Sequence, residues 1–257
     1  MNVRELPGLK AIMGFDGEYA EFKAKDAEGL SRGLINRKGE VVWNDHLWHT
    51  ILKLRGYETI FFSMKRGVEG FVYFDVAKQE YIEKPQLPER SKSKAEILVD
   101  ETPYMEAVDP FDHHTCSYKP LSVLTDEYLA FAEGLYKWGV RDLAGNILVP
   151  ARFAHISYGG MNTHFLVDEE EQYGVIDING NWVIPYGKFD WLWCRGDYFL
   201  ARKDGKAGII DLEGNVIIPF EYEYLHPAYN EGLDLISAKK DGEFFFINSK
   251  QERVDLF

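Results

Sequence analysis

The chain offers two groups of residues whose types and spacing could do chemistry. The first is Asp112-His113-His114-x-Cys116, with His46 and His49 as a further histidine pair. Imidazole, thiolate and carboxylate are the ligands a zinc site uses. Adjacent histidines on a strand, however, point to opposite faces, and no second ligand pair follows at a suitable spacing. An ordinary polar turn explains the segment better, and no metal is expected. The second group is Asp142, Asp177 and Asp211, which suggest acid–base work until their neighbours are read. Each is followed by Gly-Asn at the same offset, so a shared structural role in a turn is the better explanation. The sequence has no Gly-rich phosphate loop, nucleophile elbow or zinc motif, so no catalytic residues and no cofactor are expected.

A third set varies where its surroundings repeat. His155, Trp191 and Tyr224 occupy one position of a recurring four-residue element, and Trp48 and His49 sit in an upstream copy. Trp193 lies two residues beyond Trp191, hence on the same face of a strand. A slot that keeps its backbone context but changes its side chain is how repeat proteins build binding surfaces. Inter-repeat packing is the competing reading, because aromatic residues mostly serve cores. His49, His155, Trp191, Trp193 and Tyr224 are the candidate binding residues.

These residues are set by a repeat. Trp138-Gly-Val-Arg-Asp-Leu-Ala-Gly-Asn-Ile-Leu-Val-Pro150 returns at Tyr173–Pro185 and again at Ala207–Pro219. The turn aspartates Asp142, Asp177 and Asp211 are 35 and 34 residues apart. Asn36, Asp75 and Asn248 extend the series, and Asp109 falls midway in the double interval between Asp75 and Asp142. This gives seven slots in one array over 1–257, the third of them degenerate. Its strand-like Ile97-Leu98-Val99 stands ahead of Asp109. The rival count is six repeats with a loop insertion over 85–120, a proline-rich stretch that holds the charged run Glu89–Lys94.

The pattern resembles the WG-repeat family, whose Trp-Gly pair stands here as Trp138-Gly139. Its closing aromatic element appears as Phe153-Ala-His-Ile156, Phe189-Asp-Trp-Leu192 and Tyr222-Glu-Tyr-Leu225. The resemblance implies a repeat architecture and carries no catalytic residues.

Runs of Val, Ile, Leu, Phe, Tyr and Trp separated by turn chemistry predict β units. The unit around Asp211 predicts strands over Tyr198–Lys203, Ala207–Asp211, Asn215–Pro219 and Tyr222–Leu225, with the proline ending the third. The fold class expected is all-β: a tandem array of about seven short antiparallel units, a β-propeller ahead of an open twisted stack of β-meanders. The chain has no run near the ~18 apolar residues of a membrane span, and no signal-type N-terminus. Membrane insertion is therefore not expected, and a cytoplasmic location is. Cys116 and Cys194 read as lone thiols. A net charge of −13 argues against nucleic acid and would steer a basic protein partner. The function expected is a non-enzymatic interaction module for a protein or cell-envelope ligand, including immunity-like masking of a basic toxin. The alternative is an enzyme with its site at a propeller's centre.

Overall fold

The computed structural model describes residues 2–26, 29–45, 51–54, 56–64, 70–86, 91–109, 112–169, 172–228 and 232–255. They form seven antiparallel sheets in sequence order, and in each the neighbouring strands are consecutive in the chain. An all-β tandem array is what the repeat encodes. The chain divides into two compact units, one of residues 90–221 and one of residues 1–89 with 222–257.

Within the 90–221 unit, sheet 4 runs Leu121–Val123, Tyr128–Ala132, Trp138–Asp142 and Ile147–Phe153. Sheet 5 follows with His155–Tyr158, His164–Glu169, Gln172–Asp177 and Trp182–Phe189. Sheet 6 follows with Trp191–Cys194, Tyr198–Lys203, Lys206–Asp211 and Val216–Tyr222. Val140, Phe153, Phe165 and Ile176 fill the core between sheets 4 and 5, and Val175, Ile184, Phe199 and Ile210 fill that between sheets 5 and 6. Burying one sheet's face under the next is what makes the units interdependent.

The repeated turn is built by its aspartate. Gly180 N–H donates to the Asp177 carbonyl at 2.9 Å, and Asn181 N–H donates to Asp177 Oδ1 at 2.8 Å. Asn181 Nδ2 donates to Asp177 Oδ2 at 3.0 Å. Asp142 and Asp211 hold Asn146 and Asn215 in the same way, at 2.9 and 2.7 Å to the backbone amide. Gly145, Gly180 and Gly214 take φ of 94°, 79° and 85°, the left-handed region that a side chain resists.

The glycine of the aromatic-Gly pair has another cause. Between Tyr173↔Phe189 and Val175↔Ile184, Gly174 alone faces the stretch 185–188 of the fourth strand, which bulges over it. A Cβ on Gly174 would stand 2.6 Å from the Trp182 ring, and one on Gly139 would stand 2.4 Å from the Val149 carbonyl oxygen. Pro150, Pro185 and Pro219 lie inside these fourth strands and do not end them, contrary to the sequence expectation. The fourth strand is an edge, so a proline there costs no ladder bond. A related correction concerns Tyr222–Leu225, which is not one strand. Tyr222 closes the fourth strand of sheet 6 and Tyr224 opens the next strand, Tyr224–Ala228.

The degenerate third slot holds a helix, Lys94–Glu101, and a two-stranded sheet 3, Met105–Val108 with Thr115–Tyr118. Ile97-Leu98-Val99 is therefore helical. Ser93 Oγ accepts Glu96 N–H at 3.2 Å and Glu96 Oε2 accepts Ser93 N–H at 2.7 Å, a reciprocal cap that fixes the start. Ala95, Leu98 and Val99 then pack on Leu121, Leu129 and Phe131 of sheet 4. Asp109 does sit in a hairpin turn, accepting His113 N–H on its carbonyl at 2.8 Å.

In the other unit, sheet 1 comprises Leu9–Ile12, Tyr19–Asp26, Gly29–Asn36 and Val41–Asp45. Sheet 2 comprises Leu52–Lys53, Ile60–Met64, Phe71–Asp75 and Glu80–Ile82, and packs on sheet 1 through Leu34, Phe61 and Phe74. Sheet 7 has three strands, Tyr224–Ala228, Gly232–Lys240 and Glu243–Ile247. Ala228, Leu235 and Phe246 of sheet 7 share one core with Ile12, Phe22 and Ile35 of sheet 1. The first and last sheets are thus direct neighbours. Among the described residues no helix is long and apolar enough to cross a membrane.

Candidate functional site

His155, Trp191 and Tyr224 each open the first strand of a sheet, so the varied slot is one structural position. The residue before it donates its amide to the strand opposite in all three cases. Ala154 bonds the Asp168 carbonyl at 3.1 Å, Asp190 that of Arg202 at 2.9 Å, and Glu223 that of Lys239 at 2.8 Å. His155 is in register with Asp168, Trp191 with Arg202 and Tyr224 with Lys239. Directly opposite residues of an antiparallel pair share a face, so each slot side chain has a charged neighbour across the ladder. His49, with His46 and Trp48, lies outside the described residues.

The three copies use this geometry differently. In sheet 7 the position is filled. Glu223 pairs with Lys239 at 3.1 Å and accepts the Gly242 amide at 2.9 Å, while Lys239 lies 5.4 Å from the Phe244 ring centre. Tyr224 is half-buried, donates its hydroxyl to Met13 Sδ at 3.0 Å and stacks on His226 at 6.2 Å. Tyr224 therefore serves packing within its unit. In sheet 5 the exposed His155 faces Asp168. Burial pushes the Asp168 carboxyl above its usual range, and the charge of His155 pulls it the other way.

Sheet 6 leaves the position open. Asp190, Trp191, Arg202 and Gly205 line a shallow depression of about 540 Å³. Asp190 is one methylene shorter than Glu223, and its Oδ2 meets the Gly205 amide only at 3.5 Å. The exposed Arg202 has no hydrogen bond or ion pair from its guanidinium among the described residues. Trp191 is half-buried, and Trp193 lies 6.1 Å away at a 51° tilt with the Arg195 guanidinium 4.4 Å from its ring centre. Trp191 and Trp193 do share a face, as their spacing requires. Asp190 and Arg202 were not singled out from sequence, although the Glu223/Asp190 alternation before the slot was visible there.

Two further groups are present. Lys53 lines a smaller depression of about 270 Å³, where Glu58 at 3.1 Å and Asp16 at 3.4 Å already neutralise it. Asp109, Asp112 and His114 bring ligand atoms within 4.8 Å of one another. Asp109 accepts the Asp112 amide at 3.2 Å and the Tyr136 hydroxyl at 3.3 Å, so turn hydrogen bonds account for its placement. Cys116 and Cys194 are free thiols, and burial pushes the Cys194 thiol up.

Residues 173–206 and 208–244 match the family model described as the WG containing repeat, in two tandem copies. No curated protein matches the chain. Solved structures match over most of it at low identity. Kluyveromyces lactis Hsv2p is 10% identical, with 94% of this chain and 75% of that one covered and a TM-score of 0.37. The Cps50 (Swd1) beta-propeller domain of Myceliophteria thermophila is 9% identical over 94% of this chain and 97% of that one, with a TM-score of 0.43. A dihydro-heme d1 dehydrogenase, NirN, is 14% identical over 96% and 66%, with a TM-score of 0.43.

Proposed function

We propose that this protein is a non-enzymatic binding module that presents the first-strand rim of its repeats to a protein partner. The observation that carries this reading is the slot itself. One backbone position, held by the same amide bond in three sheets, carries His155, Trp191 and Tyr224, and the Trp191 copy lines an open depression. A fixed scaffold with substituted rim residues is how repeat arrays acquire partners. Half-buried tryptophan beside an arginine is also the composition of interface hot spots. The net charge of −13 favours a basic partner, whose approach it would accelerate at low salt.

The test is quantitative capture with wild-type protein and the Trp191→Ala and Tyr224→Phe variants, each checked by thermal melting. Trp191→Ala should lose the partner while melting as wild type does, and association should slow as salt rises. A Trp191→Ala variant that captures the partner undiminished would sink the reading.

A further inference from the structure

We infer that the depression on sheet 6 is a binding site for a neutral sugar residue of a glycan. The proposal rests on the reading that the first-strand rim is a binding surface, and it names the ligand class for one copy. Three side chains with distinct chemistry line it: Asp190 with a carboxylate, Arg202 with a guanidinium and Trp191 with an indole. A carboxylate only accepts hydrogen bonds and a guanidinium only donates them. A sugar hydroxyl does both, so adjacent hydroxyls on one ring can satisfy the two groups together. The negative face of the indole attracts the weakly positive C–H groups that line one side of a pyranose.

The charges decide against a singly charged small ligand. An anion would meet Asp190, and a cation would meet Arg202. The equivalent place in sheet 7 shows what closes such a site. Glu223 reaches Lys239 at 3.1 Å and the two neutralise each other, whereas the Arg202 guanidinium makes no ion pair among the described residues. The two places differ at both partners, Glu223 with Lys239 against Asp190 with Arg202.

The probes are maltotriose, cellotriose and triacetylchitotriose, each titrated into the full chain and followed by ligand-observed magnetisation transfer. At least one should bind saturably in the millimolar range or tighter, with little dependence on salt because the ligand carries no charge. Trp191→Ala and Arg202→Gln should each weaken that binding by about tenfold or more. Asp190→Glu, which lengthens the carboxylate toward Arg202, should weaken it as well, with an unchanged melting temperature. Silence from all three sugars, or binding indifferent to Trp191→Ala and Arg202→Gln, overturns the proposal. So does a response to L-arginine or L-glutamate with none to the sugars. Partner capture that persists in a protein deaf to sugars would leave the binding-module reading standing and remove this one alone.

Discussion

His226 Nδ1 accepts the backbone amide of Gly14 at 2.6 Å across 212 residues of sequence. The bond joins the first strand of sheet 7 to the turn that follows the first strand of sheet 1, inside the unit that holds both chain ends. The histidine is buried, so the amide would have no water to turn to if its acceptor were lost. A Cβ on Gly14 would stand 1.9 Å from the Pro227 carbonyl oxygen. His226→Leu should therefore cost about 2 kcal/mol in urea unfolding, and Gly14→Ala more. Tyr224→Phe, which removes only the hydroxyl bond to Met13, should cost less than either.

The turn glycines should rank by what surrounds them. Gly145 has open space for a Cβ, Gly180 meets Val149 at 3.7 Å and Gly214 meets Ile184 at 3.2 Å. Replacement by Val should destabilise by about 1 kcal/mol or more at each, and most at Gly214. Gln251 holds the same turn position at φ 65°, donating its amide to the Asn248 carbonyl at 2.9 Å. Gln251→Gly should thus stabilise the protein by a few tenths to about 1 kcal/mol, a rare gain from adding a glycine. In sheet 2 the left-handed residue is Gln79 at φ 58°, so Lys78→Val should add no turn strain and lose only the Lys78–Asp75 pair at 3.5 Å. Equal melting shifts at all five positions would contradict the turn geometry.

The aromatic-Gly glycine should tolerate even less. Gly139→Ala places a methyl 2.4 Å from a carbonyl oxygen, which only a backbone shift can relieve. Gly174→Ala meets the Trp182 ring at 2.6 Å, and that exposed ring can swing aside. Overpacking of this kind costs about 1–3 kcal/mol, and the Gly139 variant should stand at the upper end. The check is equilibrium unfolding of the two single variants.

Acid should act on the turns. The side-chain and backbone hydrogen bonds of Asn146 hold the Asp142 carboxyl below its usual value of 3.8. Slight burial would raise Asp177 and Asp211, but their Asn181 and Asn215 bonds outweigh it and lower both. A depressed carboxyl contributes stability that is present above its unfolded value and lost as pH falls through its folded value. Glu21 works with the opposite sign. Burial pushes it up despite Arg32 at 2.7 Å, so its folded form favours protonation as pH falls. Asp177→Asn should therefore flatten the loss of stability below about pH 4, whereas Glu21→Gln should not. An unchanged acid limb in Asp177→Asn would show that the turn bonds are not linked to folding.

The sequence by itself determined the repeat, its β character and the turn. Asp-x-x-Gly-Asn carries its own hydrogen-bond donors and acceptors within five residues, so its structure is local. Even the divergent copies obey it. Asn36 with Glu40, and Asn248 with Glu252, make the same side-chain pair with donor and acceptor exchanged, at 2.7 and 2.8 Å. The helix Lys94–Glu101 was equally local, written in Ser93, Glu96 and the spacing of Ala95, Leu98 and Val99, though the strand-like run at Ile97 obscured it. The tertiary structure decided the rest. Whether a proline ends a strand depends on whether that strand is an edge, and Pro185 is tolerated because no neighbour needs its missing amide. Whether a varied aromatic packs or faces solvent depends on what the ladder sets across from it. Tyr224 found Met13, from the far end of the chain, and Trp191 found Arg202 across the ladder in an open depression. Such pairings join residues remote in sequence or opposite in a ladder, so only the folded chain sets them.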